Sequence, residues 1–252
     1  MDDKKIVKSF HIQDELNPDI WMESEGMYVM KPEIREKLLE IGGDFMDFLD
    51  VGLGDCEVDT KDCDVEDITV TGSLANYNWS DYSDIDLHVI VDFGEFQYDK
   101  ELLKNYFNSK KTIWNSQHDV TIYGYEVEVY AQDDTEEHFS SGVYSVLYDE
   151  WIVEPQQEEF DLDEKVLLKK ASPWMEMIDD LYEKSKNIEF TDTIDLVRKV
   201  KDKLKKYRTC GLEKGGEYSY ENLVFKLLRR NGYIKKLLDL RNDMQDELMS
   251  IK

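Results

Sequence analysis

The stretch Asp67–Val91, DITVTGSLANYNWSDYSDIDLHVIV, decides the fold of this 252-residue chain. It predicts a short strand carrying Ile68 and Val70, a corner at Gly72-Ser73, a polar connection, and a second strand opening on Asp84-Ile85-Asp86. Side chains alternate along a strand, so Asp84 and Asp86 share one face and Ile85 takes the other. Carboxylates roughly 6–7 Å apart on one face repel each other and favour a cation between them. An all-oxygen ligand set favours a hard divalent ion, most often Mg²⁺. At the corner, Gly72 lets the backbone approach closely, and the N–H groups with the Ser73 hydroxyl suit phosphate oxygens. A phosphate cradle beside a carboxylate pair is the minimum equipment for phosphoryl or nucleotidyl transfer. The strand continues through Leu87, Val89, Ile90 and Val91, apolar on both faces toward its end and therefore interior. His88 shares the carboxylate face; a hydrogen-bonded strand histidine is a simpler reading of it than a phosphate contact.

Gly72-Ser73, a spacer of roughly ten residues, and Ser83-Asp84-Ile85-Asp86-Leu87 together resemble the nucleotidyltransferase superfamily typified by DNA polymerase beta. Longer strings (ELNPDIW at 15–21, residues 71–92, GYEVEVYAQD at 124–133, ENLVFKLLRRNG at 221–232) also resemble nucleotidyltransferases predicted in large tailed bacteriophages. The resemblance implies an α+β fold: a small mixed β-sheet core with flanking helices, followed by a C-terminal helical segment. It implies two Mg²⁺ ions (Mn²⁺ as a substitute) held by Asp84 and Asp86, and an NTP whose β- and γ-phosphates meet Gly72 and Ser73. Ser83 adds a hydrogen bond beside the pair. It further implies a third carboxylate on a neighbouring strand, which contributes to the metal site and acts as base on the acceptor hydroxyl. The string HDVTIYGYEVEVYAQD, 118–133, offers two glutamates on one strand face: Glu128 is the first choice and Glu126 the second, with a solvated strand face the alternative for each.

Working outward, Phe10–Met30 reads as an arm packed on the domain through Phe10, Ile12, Leu16, Ile20 and Trp21, with a turn at Asn17-Pro18. Ile34, Leu38, Ile41, Phe45, Phe48 and Leu49 form one helical stripe behind Pro32. Seven acids against Lys61 between Asp55 and Asp67 read as a solvated loop, since the ligand order and central glycine of an EF-hand are missing. A helix through Leu102, Leu103, Tyr106 and Phe107 follows, with Lys104, Lys110 and Lys111 expected in solvent. Two short strands flank Asp149-Glu150, with Tyr144, Val146, Trp151 and Val153 as core candidates. The polar run after Pro155 marks a boundary, giving a catalytic domain with its N-terminal arm over 1–154 and a helical domain closing the cleft over 155–252. Its helices are expected to start at Ser172-Pro173, to run through Ile194–Tyr207 and end near Cys210-Gly211, to start again at a Ser219 cap and stop at Asn231-Gly232, and to finish through Leu237–Leu248.

Composition sets the outer limits. Hydrophobic residues at 41% and aromatics at 12% exclude a disordered chain. Three cysteines (Cys56, Cys63, Cys210) and four scattered histidines (His11, His88, His118, His138) fit neither a disulfide scaffold nor a zinc site. The opening MDDKKIVKSF lacks an apolar signal core and no run suits a membrane helix, so the expected location is cytoplasmic, the host cytoplasm for a phage protein. A formal charge of −26 argues against a general nucleic-acid binder. Yet Arg198–Lys236 holds thirteen Lys or Arg against four acids. Lys226 and Arg230, four apart on one helix face with Arg229 beside them, either bind the triphosphate or an RNA end or are merely solvated. The expected activity is metal-dependent transfer of an NMP from an NTP to a hydroxyl acceptor (an RNA end, a protein or a small molecule) with release of pyrophosphate. The alternative is an inactive nucleotide-binding regulatory module of the same fold.

Overall fold

The computed structural model describes residues 3–50, 65–96, 98–136, 140–157 and 159–251. Cys56, Cys63, His138 and the acidic connection over 55–64 lie outside the described residues. The chain divides into two compact units, Ile12–Glu159 and Phe160–Lys252 together with Met1–His11.

The first unit is built on a six-stranded mixed sheet. A hairpin, β1 (Trp21–Ser24) and β2 (Met27–Met30), precedes helix α2 (Pro32–Asp50); the preceding helix α1 (Asp3–Lys8) belongs to the other unit. Then come β3 (Val65–Thr71), β4 (Ile85–Val91), helix α3 (Lys100–Gln117), β5 (Thr121–Ile122), β6 (Tyr125–Asp133), β7 (Val143–Ser145) and β8 (Glu150–Val153). The spatial order is β5-β6-β4-β3-β7-β8, with β4 and β6 parallel and every other neighbour antiparallel. Parallel neighbours cannot be joined by a tight turn, and α3 supplies the crossover between them.

Alternation in β4 decides what the sheet presents on each face. Ile85, Leu87, Val89 and Val91 are buried, and they join Val127 and Val129 of β6 and the α2 stripe of Ile34, Leu38, Ile41, Phe45 and Leu49 in one core. Phe45 and Phe48 of α2 meet Trp114 of α3 with ring centroids 5.6 and 5.4 Å apart. The opposite face carries Asp86 and His88, only half-buried. Beyond its short pairing with β5, the outer edge of β6 is met by a side chain: Asn115 of α3 accepts from the Val129 N–H at 3.2 Å and donates to its carbonyl at 3.3 Å. That satisfies backbone groups which would otherwise lack partners.

Residues 12–30 do more than pack. The Trp21 indole N–H donates to the Leu74 carbonyl at 2.7 Å, and the ring stacks on Trp151 and meets Tyr144 edge-on. Gln13 N–H donates to Tyr77 O, Trp79 donates to Glu15 O, and Asn17 donates to the Tyr125 hydroxyl. The arm thus fastens the β3–β4 connection at Leu74, Tyr77 and Trp79, and the start of β6. Tyr144 and Val146 are core, Trp151 is half-buried, and Val153 is exposed, because β8 is an edge strand. Lys110 is also not the solvated residue its charge suggests: it is buried, its ammonium over the Phe48 and Tyr106 rings.

The second unit consists of α1 with α4 (Glu164–Ser185), α5 (Phe190–Gly215), α6 (Tyr220–Arg230) and α7 (Tyr233–Met249). The first eleven residues belong here because Ile6 and Val7 are fully buried and the Arg230 guanidinium covers Phe10. Helix α4 starts at Glu164, nine residues before Pro173, and the Asp163 carboxylate ahead of it caps the Lys165 and Val166 N–H groups. Its buried stripe, Leu167, Ala171, Trp174, Ile178 and Leu181, continues straight through the proline. Burial on both sides outweighs the cost of an interior proline, about 3 kcal/mol. Helix α5 likewise runs past Gly211, which is buried against Glu221 and Ser219, to a stop at Gly215. Helix α6 begins at the Ser219 cap, whose hydroxyl accepts from Asn222 N–H. Among the described residues no helix is long and apolar enough to cross a membrane.

Candidate active site

The site begins where β3 runs out. Gly72 adopts φ 77°, ψ −160°, and Ser73–Ala75 make one 3₁₀ turn. A Cβ on Gly72 would lie 2.1 Å from Asp86 Oδ2, so only glycine lets the turn close against that carboxylate. Hydrogen bonds hold the turn from several directions. Gly72 N–H donates to Ser140 Oγ at 3.3 Å, and the Asn76 amide donates to Gly72 O at 3.0 Å. The Ser73 hydroxyl donates to Ser83 Oγ at 2.8 Å, and Ser83 also accepts from Ser80 N–H at 3.0 Å. Buried Ser83 therefore ties the start of the acid-bearing strand back to the corner.

Asp84 lies just ahead of β4, Asp86 is its second residue, and Glu128 of β6 stands directly opposite Asp86 in the parallel register. Each offers a carboxylate oxygen within 4.8 Å of the other two. Glu126, two residues earlier, pairs with Thr121 of β5, is exposed, and does not belong to this group. The parallel register sets Glu128 level with Asp86, whereas Glu126 lies two residues back, against Thr121 of β5, and is exposed.

Two residues complete this face: Tyr130, to which no sequence motif assigns a role, and Lys111, which is half-buried here and not in solvent as its charge suggests. The Tyr130 hydroxyl sits 2.7 Å from Glu128 Oε2 and 3.2 Å from Asp86 Oδ1, donating toward both. It has one hydrogen for two acceptors, so neither carboxylate is fully served. The Lys111 ammonium lies 3.4 Å from the centroid of the Tyr130 ring. Strand alternation alone puts Tyr130 on the face of Glu128, a signal available in the sequence. Lys111 reaches the face from α3, and no local pattern announces that. His88 has hydrogen-bond partners on both nitrogens, Gln132 Oε1 at 2.7 Å and Thr71 Oγ1 at 3.1 Å, and its ring stacks on Tyr130. It is a structural member of the face.

The electrostatics follow from burial. Asp86 is pushed up to about 7, first by desolvation and then by the Asp84 charge, against a weaker downward pull from the Tyr130 hydrogen bond. Burial and the Asp86 charge raise the Tyr130 phenol well above its usual range, so it stays a donor. Burial lowers Lys111, opposed by Glu128 and Asp86. In a second acidic group, Asp92, Asp133 and Asp134, the buried member Asp133 is shifted the other way, while a hydrogen bond with Asp133 raises Asp134. There burial would raise Asp133, but hydrogen bonds from Lys100, Thr135 and Phe93 N–H hold it down to about 2. That group has its own protein cation and donors, whereas the Asp84–Asp86–Glu128 group carries more negative charge than its surroundings neutralise.

Lys226 and Arg230 lie in the helical unit. Lys226 is 3.9 Å from Glu217, and burial lowers its pKa, with the neighbouring charges of Arg230, Arg229 and Arg208 acting the same way. Arg230 donates to Ser9 Oγ at 2.6 Å and lies over Phe10. Cys210 is exposed and reduced.

No curated protein and no solved structure matches the chain. The nucleotidyltransferase domain family matches residues 57–210, from the connection ahead of β3 into α5. More than half of the chain lies inside that match, the turn at Gly72 and all three clustered carboxylates with it, and the protein belongs to the nucleotidyltransferase domain family.

Proposed function

We propose that the protein transfers a nucleoside monophosphate from an NTP to a hydroxyl acceptor with the help of divalent cations, and that Asp84, Asp86 and Glu128 hold them. The observation that carries this reading is the three carboxylate oxygens within 4.8 Å, one of them on a residue raised to about 7. The donor set fits: all ligands are oxygen, as Mg²⁺ requires, and the excess negative charge of a desolvated acid group is what a bound cation relieves. When bound, the metal supplies Lewis-acid polarisation of the phosphate oxygens and acidifies the acceptor hydroxyl.

The residues of the chain do the rest. Glu128 Oε1, the oxygen that Tyr130 does not engage, accepts the acceptor's hydroxyl proton. The acceptor oxygen then bonds to the α-phosphorus, the bond from that phosphorus to the bridging oxygen breaks, and pyrophosphate leaves. The Gly72-Ser73 turn and Ser83 hold the β- and γ-phosphates, the Gly72 N–H and the Ser73 hydroxyl exchanging their partners Ser140 and Ser83 for phosphate oxygens. Tyr130 fixes the spacing of Glu128 and Asp86. Tyr130→Phe is expected to lower kcat about tenfold and weaken Mg²⁺ binding while leaving NTP affinity within twofold, the usual scale for a ligand-orienting partner. Unchanged Mg²⁺ dependence would refute that role.

The direct test is incubation with Mg²⁺ and each labelled NTP, with cellular RNA, proteins and small hydroxyl compounds screened as acceptors. Pyrophosphate release or a labelled acceptor is expected, with activity in Asp84→Ala and Asp86→Ala reduced at least ~1,000-fold. Equal turnover in wild type and the double variant would reject the catalytic assignment. Nucleotide binding with no turnover on any acceptor would favour the regulatory alternative.

A further inference from the structure

The helical unit contains a recess that the proposed chemistry leaves unused. Lys201, Leu204, Lys205 and Arg208 recur at three- and four-residue steps along α5 and so share a face. With Phe225 of α6 and Leu237 of α7 that face lines a cavity of about 560 Å³. The volume falls in the range of small-molecule sites, roughly 300–1,000 Å³. All of its lining comes from one compact unit.

The chemistry of the walls is one-sided. Leu204 and Leu237 are buried at the floor, and the Phe225 ring carries the Arg208 guanidinium 4.5 Å above its centroid. Arg208 is held in place: its Nε donates at 3.1 Å to Oδ1 of buried Asn222, whose amide in turn donates to Glu217 O at 2.7 Å. Every charged residue lining the cavity is a cation, although the whole chain carries −26. Among the described residues, Lys201, Lys205 and Arg208 form no ion pair with a carboxylate. Burial also disfavours the charge on Arg208, the condition in which a complementary anion is most welcome. Concentrating cations around an apolar floor on an otherwise acidic molecule has no folding rationale, since their mutual repulsion opposes it.

We propose that this recess binds an amphiphilic organic anion. Its aliphatic or aromatic body rests on Leu204, Phe225 and Leu237, and its single carboxylate, phosphate or sulfonate meets Lys201, Lys205 and Arg208. The proposal does not depend on the catalytic reading of the carboxylate site.

The probe is 1-anilinonaphthalene-8-sulfonate, an aromatic anion whose fluorescence reports entry into an apolar pocket. Titration into the full chain at neutral pH is expected to saturate at one site. Decanoate and 1-naphthyl phosphate serve as aliphatic and aromatic competitors and distinguish the two kinds of body; decyltrimethylammonium is the matched cation. Displacement by either anion and not by the cation is expected. Lys201→Glu/Lys205→Glu, at exposed positions and with Arg208 left to hold Asn222, is expected to weaken the probe about tenfold. Thr209→Trp, at an exposed lining position, fills the recess and abolishes binding. Circular dichroism and thermal melting verify that both variants remain folded, and either one alone decides the question. Equal displacement by the cation, or undiminished binding in both variants, would overturn the proposal. So would a concentration-dependent dimer that both variants dissociate, because the recess would then belong to a second copy of the chain.

Discussion

Gly72→Ala is expected to reduce nucleotidyl transfer at least ~100-fold, the scale of losing a transition-state contact, and to weaken Mg²⁺ binding in parallel. Two independent costs converge at this residue. Its φ of 77° with ψ −160° lies in a region open essentially to glycine alone, where an L-residue pays about 1–3 kcal/mol. Its new Cβ would stand 2.1 Å from Asp86 Oδ2, inside van der Waals contact, so the turn or the carboxylate must move. Either movement opens the group in which Asp84, Asp86 and Glu128 oxygens lie within 4.8 Å. Gly26→Ala separates the two costs. Gly26 has a similar φ of 82°, in the β1–β2 turn, but nothing lies within 4 Å of the Cβ it would carry. That variant is expected to lose stability by about 1 kcal/mol and keep its Mg²⁺ affinity and turnover. Isothermal titration with Mg²⁺, steady-state rates and melting curves compare the pair. Wild-type Mg²⁺ affinity in Gly72→Ala would show that the close approach of turn and carboxylate does not set the site.

Much of the fold and half of the site could be read along the chain, and the division is physical. The α2 stripe and the β3 and β4 alternation are local periodicities, and the structure carries them as α2 (Pro32–Asp50), β3 and β4. The shared face of Asp84 and Asp86 is local in the same way. Distinguishing Glu128 from Glu126 is not, because both lie on one face of β6 and only the parallel register with β4 sets Glu128 opposite Asp86. Lys111 belongs to the same class: its helix is evident, but its approach to Tyr130 depends on how α3 crosses the sheet. Where the linear reading erred, a tertiary term overrode a local one. Pro173 resembles a helix start until the buried stripe on both sides is seen. Lys110 resembles a surface charge until its stem is found between aromatic rings. The hairpin of residues 21–30 carries no clear periodic signal because its strands are four residues each, yet Trp21 anchors the very turn on which Gly72 sits.

Asp86→Asn is expected to make the metal-free protein more stable at pH 8 while abolishing Mg²⁺ binding. In the folded chain burial and the Asp84 charge raise Asp86 to about 7, whereas in the unfolded chain an aspartate titrates near 3.9. The folded state therefore holds this proton more tightly than the unfolded state does. The contribution of Asp86 to stability is most favourable below about pH 4, declines as pH rises toward 7, and is constant above it. Its total is of order 4 kcal/mol, from about three tenfold steps in proton affinity at about 1.4 kcal/mol each. Asparagine keeps the shape and an acceptor for the Tyr130 hydroxyl but removes the charge. In EDTA the variant should accordingly melt several degrees above wild type at pH 8, on the scale of about 2–4 °C per kcal/mol for a chain of this size. The difference should shrink as pH falls below 7 and vanish only below about pH 4, where Asp86 is neutral in both the folded and the unfolded wild-type chain. Adding Mg²⁺ should reverse the order at pH 8 and have little effect at pH 5, since the cation competes with the proton for the same carboxylate. Titration with Mg²⁺ near pH 7 should release a substantial fraction of one proton in wild type and none in the variant. Melting curves for the two proteins with one common pH profile, with and without Mg²⁺, would show that Asp86 is neither strained by its charge nor relieved by a metal. The opposite outcome would identify a stability cost carried by the folded protein at one carboxylate, the same one that Gly72 is shaped to admit.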